Sequence, residues 1–224
     1  MVDEAFLSVA AHKLRQPLHA LTLYRDAMVG EVDEATRRRL HQGMRSAIRE
    51  LGGLYATLLE ISRLDSGQIS PHITDMPVKP FLERLIGDFN ARAHGIVLRA
   101  QCPDDVTIRS DPVLLGRILF HLLDNAVCYP EQGDVRIVCR RDGKRACIEV
   151  RDGGPGVPED QKERIFSDFL QLHHGCRQGH GAGIGLGVVR RLAVLLGYPL
   201  RVESVADHGT CVSIEIDTGM PQSS

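Results

Sequence analysis

Two stretches carry residue types that could do chemistry together. Ala11-His12-Lys13-Leu14-Arg15-Gln16-Pro17-Leu18 places an imidazole close to a helix-kinking proline within a long helical pattern. Far downstream, Gly181-Ala182-Gly183-Ile184-Gly185-Leu186-Gly187 is a glycine run leading into a second helical pattern. Glycines let backbone N–H groups close on phosphate oxygens, and a helix N-terminus adds its dipole. An exposed imidazole nitrogen can accept a phosphoryl group. Either stretch alone is weak evidence; together they point to phosphoryl transfer from a nucleotide to a histidine.

Two further segments fit such a site. On a pattern running from 111 to 128, Arg117, His121, Asn125 and Cys128 recur at spacings of four, four and three, opposite the leucines. A solvated helix face would look the same, but Asn125 could offer an amide oxygen to Mg²⁺, a hard cation that prefers oxygen. Ala146, Ile148, Val150 and Asp152 alternate onto one face of a strand. The first three want the core, so Asp152 should point inward, just before Gly153-Gly154-Pro155-Gly156. A buried carboxylate needs a donor, and an adenine amino group is a natural one.

The elements that must hold these residues are legible from periodicity. Leu7, Ala11, Leu14, Leu18 and Leu21 repeat at alternating steps of four and three, with Met28 one heptad further on, and Leu40, Met44, Ile48, Leu51, Leu54, Leu58 and Ile61 form a second run at steps of three and four. Gly30 to Asp33 interrupts them. Two such helices form an antiparallel hairpin that buries too little by itself. Pairing two hairpins into a four-helix bundle would solve this, which predicts a homodimer. The run Arg37-Arg38-Arg39 falls near a helix start and reads as a solvated face. Ser66-Gly67, Pro71, Pro77 and Pro80 punctuate a linker.

Beyond it, helix 81–94 is predicted, followed by strands at Ile96-Leu98-Ala100, Val135-Ile137-Cys139, Ala146-Ile148-Val150 and Val212-Ile214-Ile216. Asp111-Pro112 is an N-cap and first-turn proline. A last helix runs from about Leu186 to Leu196 and stops at Gly197. Strands mixed with helices predict an α/β sandwich. The expected division is 1–70 for the hairpin and 71–224 for the sandwich.

Composition narrows the function classes. In 224 residues, 43% apolar and 25% charged residues are ordinary for a globular protein, and a formal net charge of −2 gives no global pull toward nucleic acid or anionic lipid. The six cysteines contain no CxxC pair, which suits a reduced, cytosolic protein. No apolar run reaches membrane-spanning length. The helical pattern is under way at Ala5 with no lead-in, so the chain is expected to be part of a longer protein, anchored to a membrane only through an upstream region, if at all.

The combination resembles bacterial sensor histidine kinases over nearly the whole chain. Asp111 to Tyr129, Asp152-Gly-Gly-Pro-Gly156 and Gly181 to Gly187 resemble that family's nucleotide-binding boxes, and Ile165-Phe166-Ser-Asp168-Phe169 its phenylalanine box. Phe6 to Leu21 resembles the phosphoacceptor box, in the variant found in hybrid kinases. The resemblance implies a dimerisation and phosphotransfer hairpin before an ATP-binding domain related to those of Hsp90 and gyrase. His12 would accept the phosphoryl group from ATP and pass it to an aspartate of a response-regulator receiver. Asn125 would bind Mg²⁺ and Asp152 the adenine. Gly154, Gly156, Gly181, Gly183 and Gly185 would shape pocket and lid, with Thr210 near the base.

The departures are specific. Lys13 stands where the family usually has an acid that helps take the imidazole proton. Gln16 stands where Thr or Asn is common, His121 for an asparagine, Cys128 for a phosphate-facing lysine, and Asp168 for an arginine. The lid between Phe169 and Gly181 is short. These thin the electrostatic help for γ-phosphoryl transfer, and they leave a second reading: an ATP-binding pseudokinase that regulates a partner by dimerising. A gyrase- or Hsp90-like ATPase is disfavoured, since those relatives use a glutamate near the His121 position and have no histidine hairpin. His173, His174, Cys176 and His180 fall in the lid at spacings that fit no regular Zn²⁺ site well.

Overall fold

The computed structural model describes residues 4–30, 32–90, 98–127, 135–167, 183–205 and 208–219. Two helices open the chain, α1 (Glu4–Ala27) and α2 (Glu34–Asp65). Asp33 caps α2 by accepting from the Thr36 backbone N–H at 2.9 Å and the Thr36 hydroxyl at 2.6 Å. The hairpin packs by sevens: Ala10 and Pro17 are buried on α1, and Ala47, Leu54 and Ile61 on α2. Pro17 sits inside α1, where its missing N–H leaves a carbonyl one turn earlier without its helical partner.

The stripe on α1 is wider than its predicted heptad. Phe6, Leu14, Leu21, Tyr24 and Met28 are half-buried, while Leu18 stays 50% exposed. Ile48 and Tyr55 of α2 are likewise exposed, at 57% and 62%. Each helix therefore has one apolar face toward its neighbour and another left open. Gly67, at φ +66°, stops α2, with the N–H groups of Gly67 and Gln68 returning to Leu64 and Arg63 carbonyls.

The second half contains β1 (Thr74–Pro77), α3 (Val78–Asn90), β2 (Leu98–Gln101), β3 (Thr107–Ser110), α4 (Pro112–Ala126), β4 (Val135–Asp142), β5 (Arg145–Asp152), α5 (Gly185–Leu196), β6 (Leu200–Ser204) and β7 (Thr210–Asp217). Five strands form a sheet in the order β2-β4-β5-β7-β6, antiparallel except for the β2–β4 pair. Ile137, Cys139, Ala146, Ile148, Val150, Val212, Ile214 and Ile216 bury one face against Leu82 of α3, Leu115 and Leu119 of α4, and Val188 and Leu192 of α5. This is the predicted α/β sandwich.

Three strands were not foreseen. β1 and β3 pair with each other as a separate two-stranded ribbon, and β1 falls in the stretch read from its prolines as linker. Pro77 is tolerated because it ends an edge strand, and Pro80 because it lies in the first turn of α3. That helix starts at Val78, three residues earlier than expected; its predicted last turn, 91–94, lies outside the described residues. β6 was missed because Leu200-Arg201-Val202 is too short a pattern to stand out. No helix among the described residues is long and apolar enough to cross a membrane.

Candidate functional site

The site is built where three strand ends meet two helices. Asp111 starts α4: its Oδ1 accepts from the N–H groups of Val113 and Leu114 at 2.8 and 3.0 Å, and its Oδ2 from His72 N–H at 2.8 Å. Burial pushes this carboxyl's pKa up, but the three backbone donors outweigh it and hold it below the ordinary value. Capped there, α4 buries Leu114, Leu115, Ile118, Leu119, Leu122 and Leu123 and turns its polar face outward. Asn125 is exposed on that face. Cys128 lies outside the described residues.

The glycine run ends against the same face. A Cβ placed on Gly185, the first residue of α5, would lie 3.3 Å from His121 Nδ1. The end of the glycine run therefore meets α4 one turn before Asn125. Gly183 has φ +71°, a conformation open to glycine, and Gly187 is buried under the first turn. Gly181 and the His/Cys group at 173–180 lie outside the described residues, as do Asp168 and Phe169. Among the described residues no His/Cys/Asp/Glu group is arranged to hold a metal ion. Ile165 is buried and Phe166 packs on the core, so the first half of the phenylalanine segment is anchored.

Asp152 ends β5 as expected, on the core face of the sheet. Its Oδ1 accepts from Gly154 N–H at 2.8 Å and Thr210 N–H at 3.2 Å. Burial raises its pKa, and the two N–H groups only partly offset that. Among the described residues both bonds go to one oxygen, which leaves Oδ2 lone pairs for another donor. Gly154 and Gly156 are buried beside it, Gly156 with φ +72°.

Two residues that complete this wall escaped the sequence reading. Gly209 has φ +87°, and a Cβ there would overlap the Asp152 carbonyl oxygen at 2.1 Å. Ser204, buried at the end of β6, accepts from Val157 N–H at 2.8 Å and donates to the Gly209 carbonyl at 2.7 Å. The signal for Gly209 was its place before a strand whose first residue, Thr210, pairs with Asp152.

His12 is exposed on α1, followed by a half-buried Lys13 and an exposed Gln16. How the two halves meet was not legible from local pattern. Glu60 of α2 binds Arg117 at 3.1 Å and approaches His121 Nε2 at 3.7 Å; Asp65 binds Arg191 of α5 at 2.8 Å. Burial raises the Glu60 pKa, but His121 and Arg117 overcome it and the net shift is downward. Thus two of the four residues read as a pocket wall on α4 also face the hairpin. A groove of about 590 Å³ lies beside this joint, lined by Leu64, Phe166 and Val194 among others; it includes neither Asp152 nor Asn125.

A sheet covered on one face by helices, an aspartate at a strand end and a glycine turn into a helix define a nucleotide-binding domain behind a helical hairpin. Residues 110–220 match the family described as Histidine kinase-, DNA gyrase B-, and HSP90-like ATPase, and residues 3–67 the His Kinase A (phospho-acceptor) domain. The adaptive-response sensory kinase SasA of Synechococcus sp. (strain JA-3-3Ab) is 30% identical over 215 residues, 91% of this chain and 56% of that protein. Histidine kinase ThkA, solved in complex with response regulator protein TrrA, superposes with a TM-score of 0.79 at 20% identity over 97% of this chain and 62% of its own. Full-length ShkA in complex with AMPPNP gives 0.67 at 27% identity over 95% and 46%. This chain belongs to the bacterial sensor histidine kinases and comprises their catalytic core. It spans about half the length of the curated relatives it matches.

Proposed function

We propose that this core binds ATP with Mg²⁺, phosphorylates His12, and passes the phosphoryl group to an aspartate of a response-regulator receiver. Two observations carry the reading: Asp152 held by Thr210 at the strand ends, and the Gly185 turn set against His121 on the polar face of α4, behind a hairpin that exposes a histidine. Asp152 Oδ2 accepts from the adenine amino group, with Thr210 beside it. Gly154 and Gly156 let the chain turn under the base. Gly181, Gly183 and Gly185 close over the phosphates. Asn125 would supply an oxygen to Mg²⁺, which would neutralise phosphate charge there.

In the transfer, an imidazole nitrogen of His12 attacks the γ-phosphorus, the bond to the β–γ bridging oxygen breaks, and ADP leaves. The imidazole loses its N–H proton to a base. A protonated Lys13 cannot be that base, so the proton goes to another group or to water. Phosphohistidine then donates to the receiver carboxylate.

Supporting a dimer are the open apolar faces of α1 and α2, which a second hairpin would cover. We place the boundary at 70/71, between the end of α2 and β1. The free cysteines and the absence of a spanning helix among the described residues suit a catalytic portion working in the cytoplasm.

Incubation with γ-labelled ATP and Mg²⁺, followed by acid and base treatment, tests the reading. Acid-labile, base-stable label that is absent from His12→Gln is expected. ATP binding without any such label would favour a pseudokinase scaffold instead.

A further inference from the structure

Cys102, one residue past the end of β2, and Cys139 of β4 stand side by side on the core face of the sheet. Leu98 pairs with Val135, Ala100 with Ile137 and Gln101 with Val138 in a parallel ladder, and one more step of that register brings Cys102 to Cys139. Leu98, Val135, Ile137 and Cys139 are buried in the core, with Ala100 and Cys102 packed against it, so the two thiols share one face. We propose that these two cysteines are a reversible oxidation site, at which Cys102 attacks a hydroperoxide and Cys139 closes the product into a disulfide.

The geometry permits the bond and tells the two sulfurs apart. Neighbouring strands run about 4.8 Å apart, inside the roughly 4.4–6.8 Å between α-carbons that a disulfide spans. Cys102 is half-buried and Cys139 only 3% exposed, so an oxidant meets Cys102 first. Cys102 donates its own hydrogen to the Pro103 carbonyl at 3.3 Å, which leaves its lone pairs to accept from Cys139. That bond from Cys139 holds the Cys102 thiol below its ordinary pKa; burial opposes it, and the Lys79 ammonium in the first turn of α3 adds to it. Asp104, the salt-bridge partner of Lys79, and Asp105 work the other way. Cys139 is pushed up, first by its bond to Cys102 and then by burial. Cys147 and Cys211 are pushed up chiefly by burial, and they stand opposite Arg140 and Arg151, outside the row that holds Cys139.

The chemistry takes two steps. With hydrogen peroxide, the Cys102 thiolate attacks one oxygen, the O–O bond breaks, and hydroxide leaves and takes up a proton as water; the sulfur becomes a sulfenic acid. Cys102 then carries no charge, so the first cause that keeps Cys139 protonated is gone. The Cys139 sulfur attacks the Cys102 sulfur, the S–S bond forms, the S–O bond breaks, and the departing hydroxide takes the Cys139 proton. Two thiols are oxidised to one disulfide, and one peroxide is reduced to two waters. A thiol reductant reverses the bond by exchange. The disulfide joins the two flanks of the segment that carries β3 and α4. Cys139 pairs with Ile148, on the order of 13 Å along β5 from Asp152 at strand spacing, so Asp152 and its partners stay as they are.

The test is oxidation of the full chain by hydrogen peroxide, blocking of the remaining thiols with N-ethylmaleimide, and mass spectrometry of the unreduced tryptic digest. Cleavage after arginine and lysine puts each of the six cysteines on a different peptide, with Cys102 on 100–109 and Cys139 on 137–140. The expected first product is these two peptides joined, two hydrogens lighter than their sum, and separated again by dithiothreitol. Cys139→Ala should lose the joined species and leave Cys102 as a sulfenic acid that dimedone traps. Cys102→Ser, a near-isosteric change at a half-buried position, should leave Cys139 as a free thiol under the same exposure. Oxidation of another cysteine while Cys102 stays reduced would overturn the proposal. So would a link from Cys102 to any cysteine but Cys139, or Cys102 passing to the sulfinic acid in wild type with no joined peptide. If Cys139→Ala fails to fold, the wild-type digest and Cys102→Ser decide.

Discussion

On the proposed function, Asp152 and Lys13 bear on the chemistry in different ways. Asp152 is a buried carboxylate whose pKa is raised by desolvation and only partly brought back by Gly154 and Thr210 N–H groups. Such a group binds a proton more tightly folded than unfolded. It therefore costs the empty protein stability above the raised pKa, and the cost fades as pH falls past the unfolded value. Asp152→Asn keeps an oxygen for the two N–H donors and removes the charge. Its melting temperature without nucleotide should equal or exceed wild type at pH 7, with the difference shrinking under acid. The amide nitrogen would face adenine's amino group donor to donor, so ATP affinity should fall at least about tenfold, the cost of stranding a buried donor. Lys13 is the other case. General-base help is worth about 10²–10⁴-fold in rate, and the residue beside His12 cannot give it. Lys13→Glu should raise the initial rate of autophosphorylation. A fast wild type, unaffected by the change, would show that another group already takes the proton.

Single elements depend on a few residues at their ends. Asp111 ties α4 to the loop before β1 through three backbone donors, so it does more than cap one helix. Asp111→Ala should cost about 2 kcal/mol in urea unfolding, at the top of the ordinary cap range because the part-buried bond from His72 N–H is lost as well. Asp111→Asn should recover most of it. Because its folded pKa is depressed, its contribution is present above the ordinary carboxylate pKa and fades as pH falls through the lower folded value. The β6–β7 turn is equally intolerant. Gly209→Ala combines a left-handed backbone with overlap on the Asp152 carbonyl, and should destabilise by roughly 2–4 kcal/mol. A folded Gly209→Ala protein with normal stability would show that the strand ends relax more than their close contact suggests.

At the level of the molecule, the two halves are joined through charge on α2. Glu60 and Asp65 each take an arginine from the nucleotide-binding half, and His121 approaches Glu60 from the same face that carries Asn125. Leu18, Ile48 and Tyr55 leave apolar surface of the hairpin open, which the proposed second copy would cover. Leu18→Glu with Tyr55→Glu should shift the mass from dimer to monomer in light scattering at micromolar concentration, while ATP binding by the rest of the chain persists. A wild type that is already monomeric with folded helices would rule the bundle out.

Local pattern alone determined most of this architecture. Heptad spacing made α1 and α2 visible; alternation placed Ile137, Ile148, Val150 and Ile214 inward and Asp152 at the end of such a row; Asp111-Pro112 and Gly197 marked helix ends. These signals arise within a few residues of each other along the chain, where helix and strand periods are set. The tertiary structure decided what depends on contacts distant in sequence. It paired β1, in a stretch that read as linker, with β3 about 30 residues further on, set Gly185 against His121, brought Arg117 and His121 to Glu60, and assembled Ser204, Gly209 and Thr210 around Asp152. No period in the sequence encodes those meetings. They follow from which buried faces must stack together, and only then do the polar ends of the strands find their partners.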